Sequence, residues 1–182
     1  MHQDIDIILE GCKNGDKRSQ MQMYDKYSQG MFNIAMRYLN NTEDAKDAMP
    51  EGFLKAFKHI RTYQPEYSFG AWLKRIIINH CIDVIKQKRL SFTEIESEHI
   101  TIADDDSWEF DSSITKNDIL SAIHQLPEKY RIVVNLYLLE GFDHEEISQV
   151  LSIPRKTSRT QLKRGKEKLR LLLKEAYDEA RY

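Results

Sequence analysis

The chain carries a dense block of basic residues between positions 155 and 174. Nine residues of this block are Lys or Arg and one, Glu167, is acidic, although the whole chain of 182 residues has a net charge of −2. A helix over this block places its polar and basic side chains opposite Leu162 and Leu169. Cations bind phosphates and Arg also hydrogen-bonds guanine edges, so the block predicts a nucleic-acid surface. The candidate DNA-binding residues are Arg155, Lys156, Thr157, Arg159, Thr160, Lys163 and Arg164.

The same block would also suit a solvated helix face, or a basic hairpin that contacts a protein. We favour DNA because the basic helix follows a short helix, HEEISQVL, and a tight connection, SIP. This is the spacing of a helix-turn-helix whose second helix is basic. Arg159 and Arg164 are the expected base readers, whereas Arg155 and Lys156 are expected to bind phosphate at the helix start.

A second candidate site is the segment TYQPEYSFGAW at residues 62–72, together with the helix that follows it. Aromatic rings beside cations are suited to stacking on unpaired bases. The alternative is that Phe69 and Trp72 simply belong to the core. The residues alone do not decide between these two interpretations.

Residue combinations typical of enzymes do not occur in the sequence. The six histidines are scattered, and the acids beside His144, Glu145 and Glu146, lie where a helix dipole favours them. There is no glycine-rich phosphate loop and no nucleophile elbow. The acidic triplet at 104–106 lies in a segment that offers a cation no fixed geometry. We therefore expect no catalytic residue, no metal and no cofactor.

The composition excludes several classes of protein. With 41% hydrophobic and 31% charged residues, the chain can form a core while much of its surface faces water. Apolar runs such as 76–78 are far shorter than the roughly 20 residues of a membrane span, and the first residues do not resemble a signal peptide. Cys12 and Cys81 are expected to be buried thiols in a reducing compartment. These features predict a cytoplasmic protein without membrane insertion.

Charge divides the chain into three segments. Residues 1–89 and 114–182 each carry a net charge of +3, whereas residues 90–113 contain eight acidic residues and no Lys or Arg. The acidic segment also lacks a sustained helical period, so we expect it to be a linker.

Apolar residues at spacings of three and four predict helices on both sides of the linker. In the first segment, Asp16, Thr42 and Ser68 are expected N-caps of the second, third and fourth helices. Pro50 falls inside the third helix, which we expect to kink there; the alternative is a helix that restarts at Pro50.

In the last segment, a fifth helix is expected over 114–125, and Pro127 starts a sixth that ends at Gly141. Asp143 caps the short helix before the basic one. The predicted fold is all-α, with two small helical domains, residues 1–89 and 114–182, joined by the acidic linker at 90–113.

Three blocks of the chain resemble the extracytoplasmic-function sigma factors of the sigma-70 family. The block GCKNGDKRSQMQMYDKYSQGMFNIAMRYLNNTEDAKDAMPEGFLKAF is similar to the family's region 2.1–2.2. The block YSFGAWLKRIIINHCIDVIK carries the more specific pattern W-L-x-R-I-x-x-N-x-x-x-D. The block LPEKYRIVVNLYLLEGFDHEEISQVLSIPRKTSRTQLKRGKEKLR is similar to region 4. The blocks follow the family's order and cover nearly the whole chain.

This resemblance implies a non-catalytic subunit that binds core RNA polymerase and directs promoter-specific initiation. The first domain, region 2, would bind polymerase and capture a base flipped from the minus-ten element. The second, region 4, would read the minus-thirty-five element with the helix-turn-helix residues named above. The linker would thread through polymerase toward the RNA exit. The implied polymerase-binding residues are Asp44, Asp47, Pro50, Glu51 and Phe53, and the implied minus-ten residues are Tyr63, Tyr67, Ser68, Phe69, Trp72, Arg75, Asn79 and Lys86.

Two departures limit what the resemblance implies. The family usually has Gln where this chain has Pro50, which leaves the effect on polymerase docking open. The residues RKTSRTQ differ from the commoner G-T-V-[KR]-S-R, so no promoter sequence is implied. An anti-sigma factor is also left open as a further partner.

Two alternative functions remain at this point. A stand-alone helix-turn-helix regulator would bind duplex DNA as a dimer at palindromic sites, without polymerase. A helical adaptor would use its basic helix to contact an acidic protein, independently of DNA.

Overall fold

The computed structural model describes residues 2–91 and 114–179, and only the backbone at 2–4, 89–91 and 177–179. The described residues form helices and no strand, which confirms the predicted all-α class. The chain divides into two compact units, Met1–Lys88 and Arg89–Tyr182. Residues 92–113, most of the predicted linker, lie outside the described residues.

The described part of the first unit consists of four helices and one 3-10 turn. Asp16 caps the second helix as predicted, since its carboxylate accepts a hydrogen bond from the Ser19 amide at 2.8 Å. Ser68 caps the fourth, since its hydroxyl accepts from the Ala71 amide at 3.2 Å. The elements are α1 (His2–Lys13), α2 (Lys17–Leu39), α3 (Thr42–Lys58), the 3-10 turn (Ile60–Thr62) and α4 (Phe69–Ser91).

Helix α3 differs from its prediction at its start, and it decides against one of the two alternatives at Pro50. The prediction that Thr42 is the N-cap is wrong. Asn41 is the N-cap, and its side-chain oxygen accepts hydrogen bonds from the amides of Glu43 and Asp44 at 2.9 and 3.0 Å. The helix runs without interruption through Pro50. The alternative in which it restarts at Pro50 is therefore wrong, while the kink stays a prediction.

The core of the first unit lies between α2, α3 and α4. Tyr38, Phe53, Leu73 and Ile77 are each at most 2% exposed. Gly52 allows α3 and α4 to approach closely, because a Cβ there would lie 2.5 Å from Cδ1 of Ile77. The helix with the predicted polymerase contacts is thus packed directly on the helix that follows the aromatic segment.

Both cysteines are buried and free, as predicted. Burial raises the pKa of Cys12 to about 11 and that of Cys81 to about 12. Both thiols are therefore protonated near neutral pH and act as small core side chains. Within residues 2–91 and 114–179, no helix is both long and apolar enough to cross a membrane.

The second unit contains the predicted short helix, tight connection and long basic helix. Thr115 and Asp143 each start a helix with a capping box. Pro127 is the N-cap of its helix rather than a residue of its first turn. The described elements are α5 (Lys116–Gln125), α6 (Glu128–Val134), a π-helical turn (Asn135–Leu139), α7 (His144–Leu151) and α8 (Arg155–Glu179).

The π-helical turn continues α6 and was not expected from the sequence. The Glu140 amide donates to the Asn135 carbonyl at 3.1 Å, which encloses one residue more than an α-helical turn does. Tyr137, Leu138 and Leu139 in this turn are 37%, 42% and 38% exposed.

Helix α8 packs on α5, α6 and α7 along one side. Ser158, Leu162 and Leu169 on this side are at most 6% exposed. A Cβ at Gly165 would lie 2.6 Å from Cγ2 of Val134, so the glycine lets α6 and α8 approach closely. This packing determines which side of α8 remains accessible.

Candidate nucleic-acid interface

The start of α8 presents basic and polar side chains to solvent. Lys156, Arg159, Thr160 and Lys163 are exposed. Their spacing places all four on the helix face opposite the buried residues. A basic, polar face at the start of the second helix is the surface with which a helix-turn-helix contacts bases.

Thr157 and Arg164 lie to one side of that face. Both are half-buried, and both line a groove of about 360 Å³ between α6 and α8, together with Lys129 and Tyr130. Lys156 and Thr160 of the exposed face line the same groove, so the structure brings the predicted residues together, with Thr157 and Arg164 the less accessible ones.

Arg155 connects the two helices of the helix-turn-helix. Its Nε lies 3.1 Å from Oε2 of Glu145 on α7. The two side chains are 56% and 51% exposed, so the pair contributes at most about 1 kcal/mol to stability. A DNA phosphate can compete with so weak an ion pair.

His144, to which the sequence pattern assigned no role in DNA binding, lies beside the start of α8. Its Nδ1 is 2.9 Å from Oγ of Ser158, and its ring stacks on Tyr137 at a centroid distance of 4.9 Å. Burial, with the nearby guanidinium groups of Arg159 and Arg155, lowers the pKa of His144 below its ordinary value of 6.5. The sequence feature that could have predicted this contact is Ser158, a polar residue on the apolar side of α8 that needs a hydrogen-bond partner when buried.

The segment before α4 forms an aromatic cluster. The ring of Phe69 lies 5.3 Å from that of Tyr27, 5.5 Å from that of Tyr63 and 5.4 Å from that of Trp72. Phe69 is only 4% exposed, which confirms the core interpretation for this residue, and its part in minus-ten recognition stays a prediction. Tyr63 and Trp72 are half-buried and keep part of their surface accessible.

A cleft of about 420 Å³ opens between the aromatic loop and α1. Tyr63, Tyr67 and Ser68 line its loop side, and the Tyr63 hydroxyl donates to the Tyr67 carbonyl at 2.8 Å. Asp6 and Glu10 line its α1 side. This second wall was not predicted, because the periodicity of a sequence does not show which helix crosses the loop.

The remaining predicted minus-ten residues lie along one face of α4. Trp72, Arg75, Asn79 and Lys86 follow one another at spacings of three, four and seven residues, so they form one row. Arg75 and Asn79 are exposed, while Lys86 is half-buried. The row begins at the aromatic cluster and carries polar groups away from it.

The predicted polymerase contacts divide between the surface and the core. Asp47, Pro50 and Glu51 are exposed on one face of α3. Phe53 is 2% exposed and packs inward, and its part in polymerase binding stays a prediction. Leu54 is 67% exposed on the same face as Asp47, Pro50 and Glu51, and the sequence pattern did not select it as a candidate contact. The one sequence feature that could have selected it is an apolar residue at a helical spacing from acidic ones.

Polar contacts connect this acidic face to α4. Asp44 pairs with Lys88, and Oε2 of Glu51 lies 3.4 Å from Nε2 of the buried His80. Nζ of Lys55 lies 2.9 Å from Nδ1 of His80. Because an ammonium group only donates, Nδ1 accepts and the ring proton is on Nε2, toward Glu51. Burial, followed by the charge of Lys55, lowers the pKa of His80.

Comparison with known proteins places both units in one family. Residues 23–90 match the family model of sigma-70 region 2, and residues 116–169 match that of sigma-70 region 4. The chain is 30% identical over 178 residues to the ECF RNA polymerase sigma factor SigW of Bacillus subtilis, covering 92% of this chain and 95% of the relative. It is 26% identical over 171 residues to the ECF RNA polymerase sigma-E factor of Haemophilus influenzae, covering 88% and 90%.

A solved structure has the same fold. The sigma factor RpoE of Bartonella quintana, in complex with the anti-sigma factor NepR, is 18% identical, covers 85% of this chain and 96% of its own, and has a TM-score of 0.50. The two family matches cover more than half of the chain, and the SigW match extends over both units. The protein therefore belongs to the extracytoplasmic-function RNA polymerase sigma factors of the sigma-70 family, and it directs transcription initiation.

Proposed function

We propose that the protein is a non-catalytic specificity subunit, which binds core RNA polymerase in the cytoplasm and recognises promoters through both of its units. The core enzyme performs the chemistry. The observation that carries this proposal is the face of α8 on which Lys156, Arg159, Thr160 and Lys163 are exposed. Its position at the start of the second helix of a helix-turn-helix suits contact with base edges.

The second unit reads the minus-thirty-five element as duplex DNA. Arg159 and Thr160 contact base edges in the major groove, because they are exposed near the start of α8. Arg155 and Lys156 bind flanking phosphates and fix the register of the helix on the duplex. Arg164, which lies in the groove toward α6, contacts DNA at the edge of the minus-thirty-five site.

The first unit captures a base flipped from the minus-ten element. The cleft beside the aromatic loop offers the partly exposed ring of Tyr63, and the half-buried Trp72 and the exposed Asn79 lie on the adjoining face of α4. Unstacking a base costs a few kcal/mol, which stacking on these rings offsets. Arg75 and Lys86 lie on the same face and attract the phosphates of the open strand.

The exposed face of α3 binds core RNA polymerase. Asp47 and Glu51 supply negative charge, and Leu54 supplies apolar surface beside them. The complementary polymerase surface is basic with an apolar centre. An anti-sigma factor is a further partner that we infer from the Bartonella quintana relative, which is bound to one.

Transcription with purified bacterial core polymerase tests this function. The template is a library of the organism's upstream regions, and the reactions contain wild-type protein, Arg159→Glu or no protein. Lys17→Glu, at an exposed position of α2, is the charge-matched control. With the wild-type protein and with Lys17→Glu, we expect new start sites that share two spaced motifs. With Arg159→Glu, we expect these start sites to be lost.

Two outcomes would contradict the proposal. Dimeric binding to palindromic duplexes without new start sites would indicate a stand-alone regulator. DNA-independent binding to an acidic protein, again without new start sites, would indicate an adaptor.

A further inference from the structure

His144 lies between the two helices of the helix-turn-helix and has no role in the function proposed so far. It is the first residue of α7, and its ring is half-buried. From α8, Oγ of the fully buried Ser158 lies 2.9 Å from its Nδ1. From the π-helical turn, the ring of Tyr137 stacks on it at 4.9 Å and 28°. These two contacts hold the imidazole in one position beside the start of α8.

Charged groups of both signs surround this imidazole, and the cations act on it more strongly than the acid. Arg159 and Arg155 act on it from α8, and Asp143 acts on it from the start of its own helix. Glu145 pairs with Arg155 at 3.1 Å. Burial and the two arginines keep the pKa of His144 below its ordinary value, so the ring is neutral near pH 7 in the free protein.

A phosphate that binds Arg155 or Arg159 changes the charge part of this balance, while burial of the ring still opposes protonation. It brings negative charge close to the imidazole and offsets the two cations that oppose protonation. In the protonated ring, Nδ1–H donates to Oγ of Ser158, which leaves the second N–H for the phosphate. The aromatic face of Tyr137 also interacts favourably with a cation.

We propose that His144 is a further DNA-binding residue, which takes up one proton from solvent when a phosphate docks beside Arg155 and Arg159, so that DNA binds more tightly as the pH falls. This inference rests on the proposed function of α8. The bound state then holds more protons than the free state. The logarithm of the association constant therefore rises as the pH falls, by at most about tenfold per pH unit for one proton.

Fluorescence anisotropy with the full-length protein tests the inference. The probe is a short fluorescein-labelled duplex of mixed sequence at low salt, titrated between about pH 6 and pH 8. His144→Gln removes the titrating ring, and His124→Gln on α5 is the matched control. We expect wild type and His124→Gln to bind several-fold more tightly at the lower pH, whereas His144→Gln binds like wild type at the higher pH and shows little pH dependence.

An equal pH dependence in His144→Gln and wild type would overturn the inference, since other groups would then carry the proton. A second measurement follows the imidazole signal of His144 by NMR, assigned by its loss in the variant. Its pKa is expected to be higher with the duplex than without, and an equal pKa would overturn the inference.

The proposed function fails in a different way. If the duplex binds at no pH even after the eight acids of residues 90–113 are replaced by Asn and Gln, or if Arg159→Glu leaves its binding unchanged, the assignment of α8 to DNA is wrong and the role of His144 is wrong with it. Binding that depends on Arg159 but not on pH rejects the role of His144 alone.

Discussion

At the scale of single residues, Arg159 separates base recognition from simple charge attraction. It is exposed near the start of α8, where a guanidinium can make two hydrogen bonds to a guanine. We expect Arg159→Ala to weaken binding to the protein's own promoter by roughly 1–3 kcal/mol and to relax one base position. Lys156→Ala should weaken all sequences alike. Competition binding of the holoenzyme against promoter variants measures both effects, and equal losses on scrambled DNA for Arg159→Ala would show a phosphate contact only.

Phe53 and Leu54 are neighbours in sequence with opposite roles. Phe53 is 2% exposed, so Phe53→Ala removes a core side chain and should cost about 3–5 kcal/mol of unfolding free energy. Leu54 is 67% exposed, so Leu54→Ala should leave stability within about 0.5 kcal/mol and weaken polymerase binding instead. Urea unfolding and a polymerase-binding titration distinguish the two roles. A stability loss for Leu54→Ala as large as that for Phe53→Ala would contradict the placement of these side chains.

His80 links the stability of the first unit to pH. Its folded pKa lies below the ordinary value of 6.5 because of burial and Lys55. The unfolded chain therefore binds this proton more readily, and the unfolding free energy decreases as the pH falls below about 6.5. We expect the unfolding free energy of His80→Leu to decrease less as the pH falls. This holds whether His80→Leu is more or less stable than wild type at higher pH.

Urea unfolding of the first unit measures this dependence. Trp72 reports on the first unit once the other tryptophan is removed by Trp108→Phe, and measurements between about pH 5.5 and pH 8 avoid most carboxylate titration. His59→Gln, at an exposed position of the same unit, is the control. An unchanged pH dependence in His80→Leu would assign the effect to other groups.

At the scale of elements, α3 contains a proline that its backbone accommodates without a break. Pro50 has no N–H to donate to a carbonyl one turn earlier, and its ring crowds that carbonyl. Pro50→Gln restores the donor and should raise the unfolding free energy of the first unit, by up to about 3 kcal/mol. Chemical unfolding measures the change, and an equal or lower stability would show that the helix has fully adapted to proline. Polymerase affinity is measured in parallel. A change in affinity together with little change in unfolding free energy would show that the proline alters the docking face.

Local sequence was sufficient for most element boundaries. Asp16, Ser68 and Asp143 start their helices where predicted, because a cap acts within three residues. The π-helical turn at 135–139 was missed, because no spacing of its residues distinguishes it from an α-helical turn; in the structure it packs on α7 through Tyr137 and His144.

At the scale of the whole molecule, the acidic segment between the two basic ones is expected to weaken DNA binding by the free protein. Residues 90–113 contain eight acidic residues between two segments of net charge +3. This charge opposes a polyanion at low salt. We expect replacement of the eight acids by Asn and Gln, at constant length, to raise affinity for duplex DNA at low salt and to have less effect as salt increases. Anisotropy titrations over a salt series measure this, and unchanged affinity at low salt would show that the segment does not oppose DNA.

The sequence by itself determined the helical class, most of the caps and the basic helix of the second unit. These features depend on residue type and on spacings within a few positions, which the chain displays directly. The resemblance to sigma factors, carried by three blocks in order, likewise came from the sequence, and the comparisons confirm it.

Only the tertiary structure decided which of these residues are accessible and what lies beside them. Phe53 and Phe69 lie in segments that a motif assigns to function, and packing between helices leaves each at most 4% exposed. The α1 wall of the aromatic cleft and the contact of His144 with Ser158 join elements separated along the chain. Such contacts depend on how helices rotate and cross, which side-chain packing sets and which no short stretch of sequence specifies.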